Sequence, residues 1–132
     1  MGAMSNYLET ALLNMVFRNT AYTRPSTVYV ALYTSDPTEA DTGTEVTGGS
    51  YARQAVTFGA PTQVGTAAQI ANSSDVVFPV ATANWGTITH VGIRDAATGG
   101  NLLYYAPVEN PRSILANDKL KFLAGELVLK LD

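Results

Sequence analysis

Apolar side chains near the start of the chain fall at helical spacing. In SNYLETALLNMVFRNTAY, Leu8, Ala11, Leu12, Met15 and Val16 recur three and four positions apart on one face, while Glu9, Asn14 and Arg18 fall elsewhere. Asn6 followed by Glu9 predicts the N-terminal cap, because a short side-chain acceptor can take a free amide of the first turn while Glu reaches back. A stripe of this kind packs on the chain's own core or docks onto a partner.

From Thr27 the period drops to two. TVYVALYT alternates Val28, Val30 and Leu32 with Tyr29, Ala31 and Tyr33. Both sets are apolar or aromatic, which predicts a central strand covered on both faces. A polar loop, SDPTEADTGTEVTGGS, precedes a second strand in YARQAVTF. Residues 59–75 are small and uncharged for most of their length, and read as a long excursion with one edge strand around Ala68 to Ala71. VVFPV is a short strand that Pro79 confines to an edge or an end.

GTITHVGIRD puts Thr89, Val91 and Ile93 on one face and Ile88, His90, Gly92 and Arg94 on the other. Gly99 and Gly100 turn it back into NLLYYAPV as a hairpin, and KLKFL with ELVLKL reads as another around Ala124-Gly125. The fold class is mainly β: an antiparallel β-sandwich or barrel of about seven strands with one N-terminal α-helix.

At 132 residues the chain has the length of one core. Met1-Gly2-Ala3 ahead of Met4 reads as a cloning remnant, so that residues 1–4 are remnant and start, and residues 5–132 a single helix-plus-β-sandwich domain. There is no cysteine, which removes disulfides, thiolate catalysis and cysteine-held metal. The net charge of −3, with eight scattered basic residues, gives no field for nucleic acid or an anionic membrane, and no apolar run is long enough for membrane insertion. Charged residues make up only 14% of the chain against 46% hydrophobic. That charge is low for an isolated soluble subunit, so another chain is expected to cover part of the surface, most simply in a homo-oligomer.

Candidate chemistry is thin. His90 and Asp95 are five apart on a strand and point to opposite faces, so they make no base and orienting carboxylate; Asp95 instead suits the opening of the DAATGG turn. Asp36, Glu39, Asp41 and Glu45 fail the spacing of a calcium loop. Ser50 follows Gly48-Gly49 with no base nearby in sequence, and neither a nucleophile elbow nor a phosphate-cradling glycine pattern is present. No catalytic residue, metal ligand or cofactor site is therefore assigned, and the chain is read as not an enzyme. Trp85, beside Gly86, is the one candidate for stacking on a host glycan. Seven tyrosines remain; Tyr104 and Tyr105 are adjacent on a strand and must face opposite sides, so one is expected to leave the core. The candidate interface residues are Tyr7, Leu8, Leu12 and Met15 on the helix, with Tyr104 and Tyr105.

Several long phrases carry a resemblance. SNYLETALLNMVFRNTAYT, TVYVALYTSDPT, GGSYARQAVTFGAP, ANWGTITHVGIRDAATGGNLLYY and DKLKFLAGELVLKLD resemble a family of small tailed-bacteriophage virion proteins, usually labelled tail-fibre-like. The resemblance covers nearly all of Ser5 to Asp132. It implies a non-enzymatic structural role in the virion, with other virion proteins as partners, a host surface receptor as a further one, and assembly in the bacterial cytoplasm. Tail or tail-fibre placement comes first; capsid decoration, often by trimers, is the alternative, and a glycan-binding module the next.

Overall fold

The computed structural model describes residues 2–132. Among these the chain forms one helix and ten strands: β1 (Ala3–Met4), α1 (Asn6–Phe17), β2 (Val28–Tyr33), β3 (Gln54–Val56), β4 (Thr62–Val64), β5 (Ala67–Ala71), β6 (Val76–Val77), β7 (Gly86–Arg94), β8 (Leu102–Ile114), β9 (Lys121–Phe122) and β10 (Val128–Leu131). The expected class holds: the chain is mainly β, every pairing is antiparallel, and the helix is N-terminal. Very short strands, β1, β6 and β9 with two residues each, raise the number above the seven that periodicity suggests.

The main sheet runs β1-β8-β7-β2-β3, with a three-stranded sheet β10-β5-β4 and a two-stranded ribbon β6-β9 packed across it. β2 is central, as its doubly apolar pattern predicts: Val30 and Leu32 enter the main core, while Ala31 and Tyr33 join a second cluster with Leu102 on the other face. The main core gathers Phe78, Trp85, Val91, Ile93, Ile114 and Leu127 between the sheets.

Three local expectations change. Ser5, not Asn6, caps α1: its hydroxyl accepts the Leu8 amide at 3.2 Å and donates to the Leu102 carbonyl, and its own amide bonds Leu103 at 2.9 Å. One buried serine thus starts the helix and ties it to β8. In β7 the alternation breaks at Thr89, where β8 shifts register from Pro107 to Arg112 across the bulge. Ile88 consequently joins Val91 and Ile93 in the core instead of facing away from them.

The third change is at the last two segments. Leu123 and Glu126 do bracket a turn, but its arms part: β9 pairs with β6 and β10 with β5, so β5 is central in its sheet and not at its edge. Asn72 explains the parting. Buried inside the turn, it takes the Leu127 amide on Oδ1 at 2.9 Å, gives Nδ2 to the Leu123 carbonyl at 3.0 Å, and accepts the Gly125 amide on its own carbonyl at 2.9 Å. The polar groups that a hairpin would have paired are satisfied by this side chain and its backbone.

The β7–β8 hairpin forms as expected. Asp95 opens its turn by accepting the Asn101 amide at 2.7 Å, and Gly99 and Gly100 sit at φ of 61° and 70°.

Candidate interaction surface

Helix α1 ends as sharply as it begins. Asn19 adopts a left-handed φ of 54°, and the Thr20 amide closes back on the Asn14 carbonyl at 3.0 Å. Asparagine tolerates that conformation better than most residues, so the stop is written into the sequence.

Between these ends none of the twelve helical residues is buried. Leu8 and Leu12 are half-buried and turn toward β8 and β10. On the outer side Leu13, Val16 and Phe17 are 60%, 61% and 78% exposed, with Tyr7 and Met15 also exposed. The helix is therefore apolar on two sides, a pattern usual for one enclosed by protein. The stripe read from the sequence includes Met15 and Val16, which the structure exposes, and does not include Leu13 and Phe17. The signal was present, because Leu13, Val16 and Phe17 themselves recur at spacings of three and four.

Beneath α1 lies an open cleft of about 320 Å³. Leu8 and Leu12 form one wall; Val28, Phe58, Ile70, Leu129 and Leu131 form much of the rest. The outer stripe and this cleft are the apolar features that α1 leaves uncovered.

The other candidates lie elsewhere. Trp85 is a core residue, 5% exposed, with Tyr51 and Phe78 packed edge-on against it at centroid distances of 5.5 and 6.4 Å. Its indole N–H donates to the Gly49 carbonyl at 2.9 Å. Gly49 lies so close to the ring that a side chain there would collide with it. The ring named as the candidate for stacking on a host glycan is thus buried among core side chains in this structure.

Tyr104 also faces inward, its hydroxyl bonded to the Lys130 amide at 3.1 Å and carbonyl at 3.3 Å. Tyr105 takes the opposite face, half-buried against the cluster of Ala31, Tyr33 and Leu102. Of the six interface candidates Tyr104 is buried, Leu8, Leu12 and Tyr105 are half-buried, and Tyr7 and Met15 are exposed.

The acidic loop is bound by arginine. Arg94 grips Asp41 through Nη1 and Nη2 at 2.8 and 2.9 Å and donates to the Tyr33 hydroxyl at 2.9 Å and the Gly100 carbonyl at 3.0 Å. Arg53 grips Glu45 at 2.8 Å on both oxygens and also reaches the Ala96 and Gly99 carbonyls. Burial alone would raise the Glu45 pKa, but hydrogen bonds from Arg53 and Tyr51 and the Arg53 charge outweigh it and hold the carboxyl below its ordinary value. Tyr51 moves the other way, raised by burial and by its hydrogen bond to Glu45. These groups fasten the loop to the β7–β8 turn.

His90 lies 3.9 Å from Asp36, too far for a hydrogen bond, and its Nδ1 contacts the adjacent Thr89 hydroxyl at 2.9 Å. Asp36 reaches it because Tyr33 pairs with His90 across β2 and β7, a proximity that sequence spacing does not reveal. Among the described residues no three His, Asp or Glu side chains are grouped to hold a metal ion, and no helix is long and apolar enough to cross a membrane.

A family model described as podophage GP4 fiber I protein gp80 matches residues 3–130. A search of the curated proteins finds no match.

Proposed function

Because the chain belongs to the podophage GP4 fiber I protein gp80 family, we propose that it is a non-enzymatic structural component of the tail or tail-fibre apparatus, working by docking onto other virion proteins. The outer face of α1 carries this reading. A helix of about a dozen residues is marginal by itself and gains its stability from packing, yet this one holds Leu13, Val16 and Phe17 out in water. Burying each such side chain is worth about 1.5–3 kcal/mol, so a partner that covers all three gains substantially.

The charged groups support a structural role as well. Arg53, Arg94, Asp41 and Glu45 hold each other and the neighbouring backbone, which leaves them occupied in stabilising the fold.

The test is to add labelled protein to particles that lack this gene product and to locate it by electron cryomicroscopy. Density at the tail or its fibres is the expected result. A regular lattice over the head would replace the tail placement with capsid decoration, and absence of bound protein would overturn docking.

A further inference from the structure

We propose that the groove between α1 and the segment that follows it binds a neutral saccharide, with Tyr7 and Tyr22 stacking on the sugar ring. The proposal goes beyond docking and stands apart from it. None of Leu13, Val16 and Phe17 lines this groove, and it shares no residue with the apolar cleft beneath α1.

The turn after α1 builds the groove. The left-handed Asn19 reverses the chain, the Arg18 and Thr20 amides close on the Asn14 carbonyl at 3.1 and 3.0 Å, and residues 20–22 run back beside the helix. Asn6, Tyr7, Thr10 and Asn14 come from successive turns of α1 and form one wall; Thr20 and Tyr22 belong to the other. Ala11 and Ala21 complete the lining, and their small side chains leave a space of about 500 Å³, a size usual for small-ligand clefts.

The lining selects the ligand. It holds no charged side chain and no aliphatic one larger than alanine, so it offers little to a phosphate, a charged peptide or an apolar helix. It offers hydroxyls and carboxamides, which both donate and accept hydrogen bonds, as sugar hydroxyls do. Among the described residues, no hydrogen bond engages the hydroxyls of Tyr7, Thr10, Thr20 and Tyr22 or the Asn6 carboxamide. Asn14 differs: Arg18 donates to its Oδ1 at 3.0 Å, which fixes the carboxamide and leaves Nδ2 to donate.

The two phenols supply the stacking surface. Tyr7 is exposed, and Tyr22 lies near it: burial raises the Tyr22 pKa, and Tyr7 and then Asp95 raise it further. An aromatic face is electron-rich and suits the C–H face of a pyranose. Trp85, buried in the core, has no part in this groove. The Asp95 charge near Tyr22 sets the groove against acidic sugars.

Titration of the full chain with neutral oligosaccharides of glucose, galactose, mannose and rhamnose, followed by NMR, reads binding, and polygalacturonate is the acidic comparison. At least one neutral oligosaccharide is expected to bind with a Kd on the order of 1 mM and to shift tyrosine-ring resonances. Tyr7→Ala and Tyr22→Ala should each weaken it at least tenfold, and Tyr7→Phe, which keeps the ring, less than either. Melting temperatures show whether the variants fold; Tyr7→Ala, at an exposed position, decides if Tyr22→Ala does not. Three results would overturn the proposal: no shift from any neutral oligosaccharide at about ten times that Kd, binding by Tyr7→Ala as tight as by the unaltered chain, or polygalacturonate bound more tightly than the neutral chains.

Discussion

Arg94 on β7 and Asp41 in the loop after β2 form a two-pronged ion pair, 2.8 and 2.9 Å, with the guanidinium buried and the carboxylate a third exposed. The same arginine holds the Tyr33 hydroxyl and the Gly100 carbonyl, so one side chain joins the sheet, the acidic loop and the hairpin turn. Arg94→Met is expected to cost about 2–4 kcal/mol, less than the loss of a fully buried pair would because Asp41 can rehydrate. Arg94→Lys should recover only a minor part, since an ammonium cannot reproduce the fork. Denaturant titration checks both; equal stability of Arg94→Lys and the unaltered chain would contradict the geometry.

Acid should loosen the second pair. Glu45 is held below its ordinary pKa of 4.5, so its unfolded form binds protons more readily than the native one. Its stabilisation is fully present above the unfolded value and is lost as pH falls from about 5 through the lower native value. Melting temperature measured from pH 7 to pH 2 should decline over that window, and Glu45→Gln should flatten that part of the decline while lowering stability at pH 7.

The two turn glycines are not equivalent. Both have positive φ, so valine at either is strained by about 1 kcal/mol or more. A side chain at Gly99 meets open space, whereas one at Gly100 would collide with the Asp95 carboxylate and the Ala96 side chain. Gly100→Val should therefore lower the melting temperature more than Gly99→Val, and the reverse order would contradict the turn.

Trp85→Ala removes a ring enclosed by Tyr51, Phe78 and Gly49. A loss of about 3–5 kcal/mol is expected, as for other large core aromatics. Calorimetry tests this, and a variant as stable as the unaltered chain would show that the indole is not a core group.

Much of the architecture was legible because local patterns agreed with the final packing. The doubly apolar β2 is central, and the Gly-rich turn joins β7 to β8. What could not be read depended on partners distant in the chain. Ile88 faces the core because of extra residues in β8, and β10 leaves β9 because Asn72, more than fifty positions earlier, occupies the turn between them. Trp85 was ambiguous for the same reason, since only the fold brings Gly49 against it. Helix α1 was half-legible: a stripe on it stood out by period, while the exposure of Leu13 and Phe17 is seen only once the other side of the helix is found to face the sheets.

The most direct test of docking through α1 is occupancy in the particle. Particles lacking this gene product would be incubated with unaltered protein or with the Leu13→Ser/Phe17→Ser double variant, both positions being exposed, and bound copies counted. The account predicts at least a tenfold loss of bound copies with no matching loss in melting temperature. Full occupancy by the double variant would contradict it.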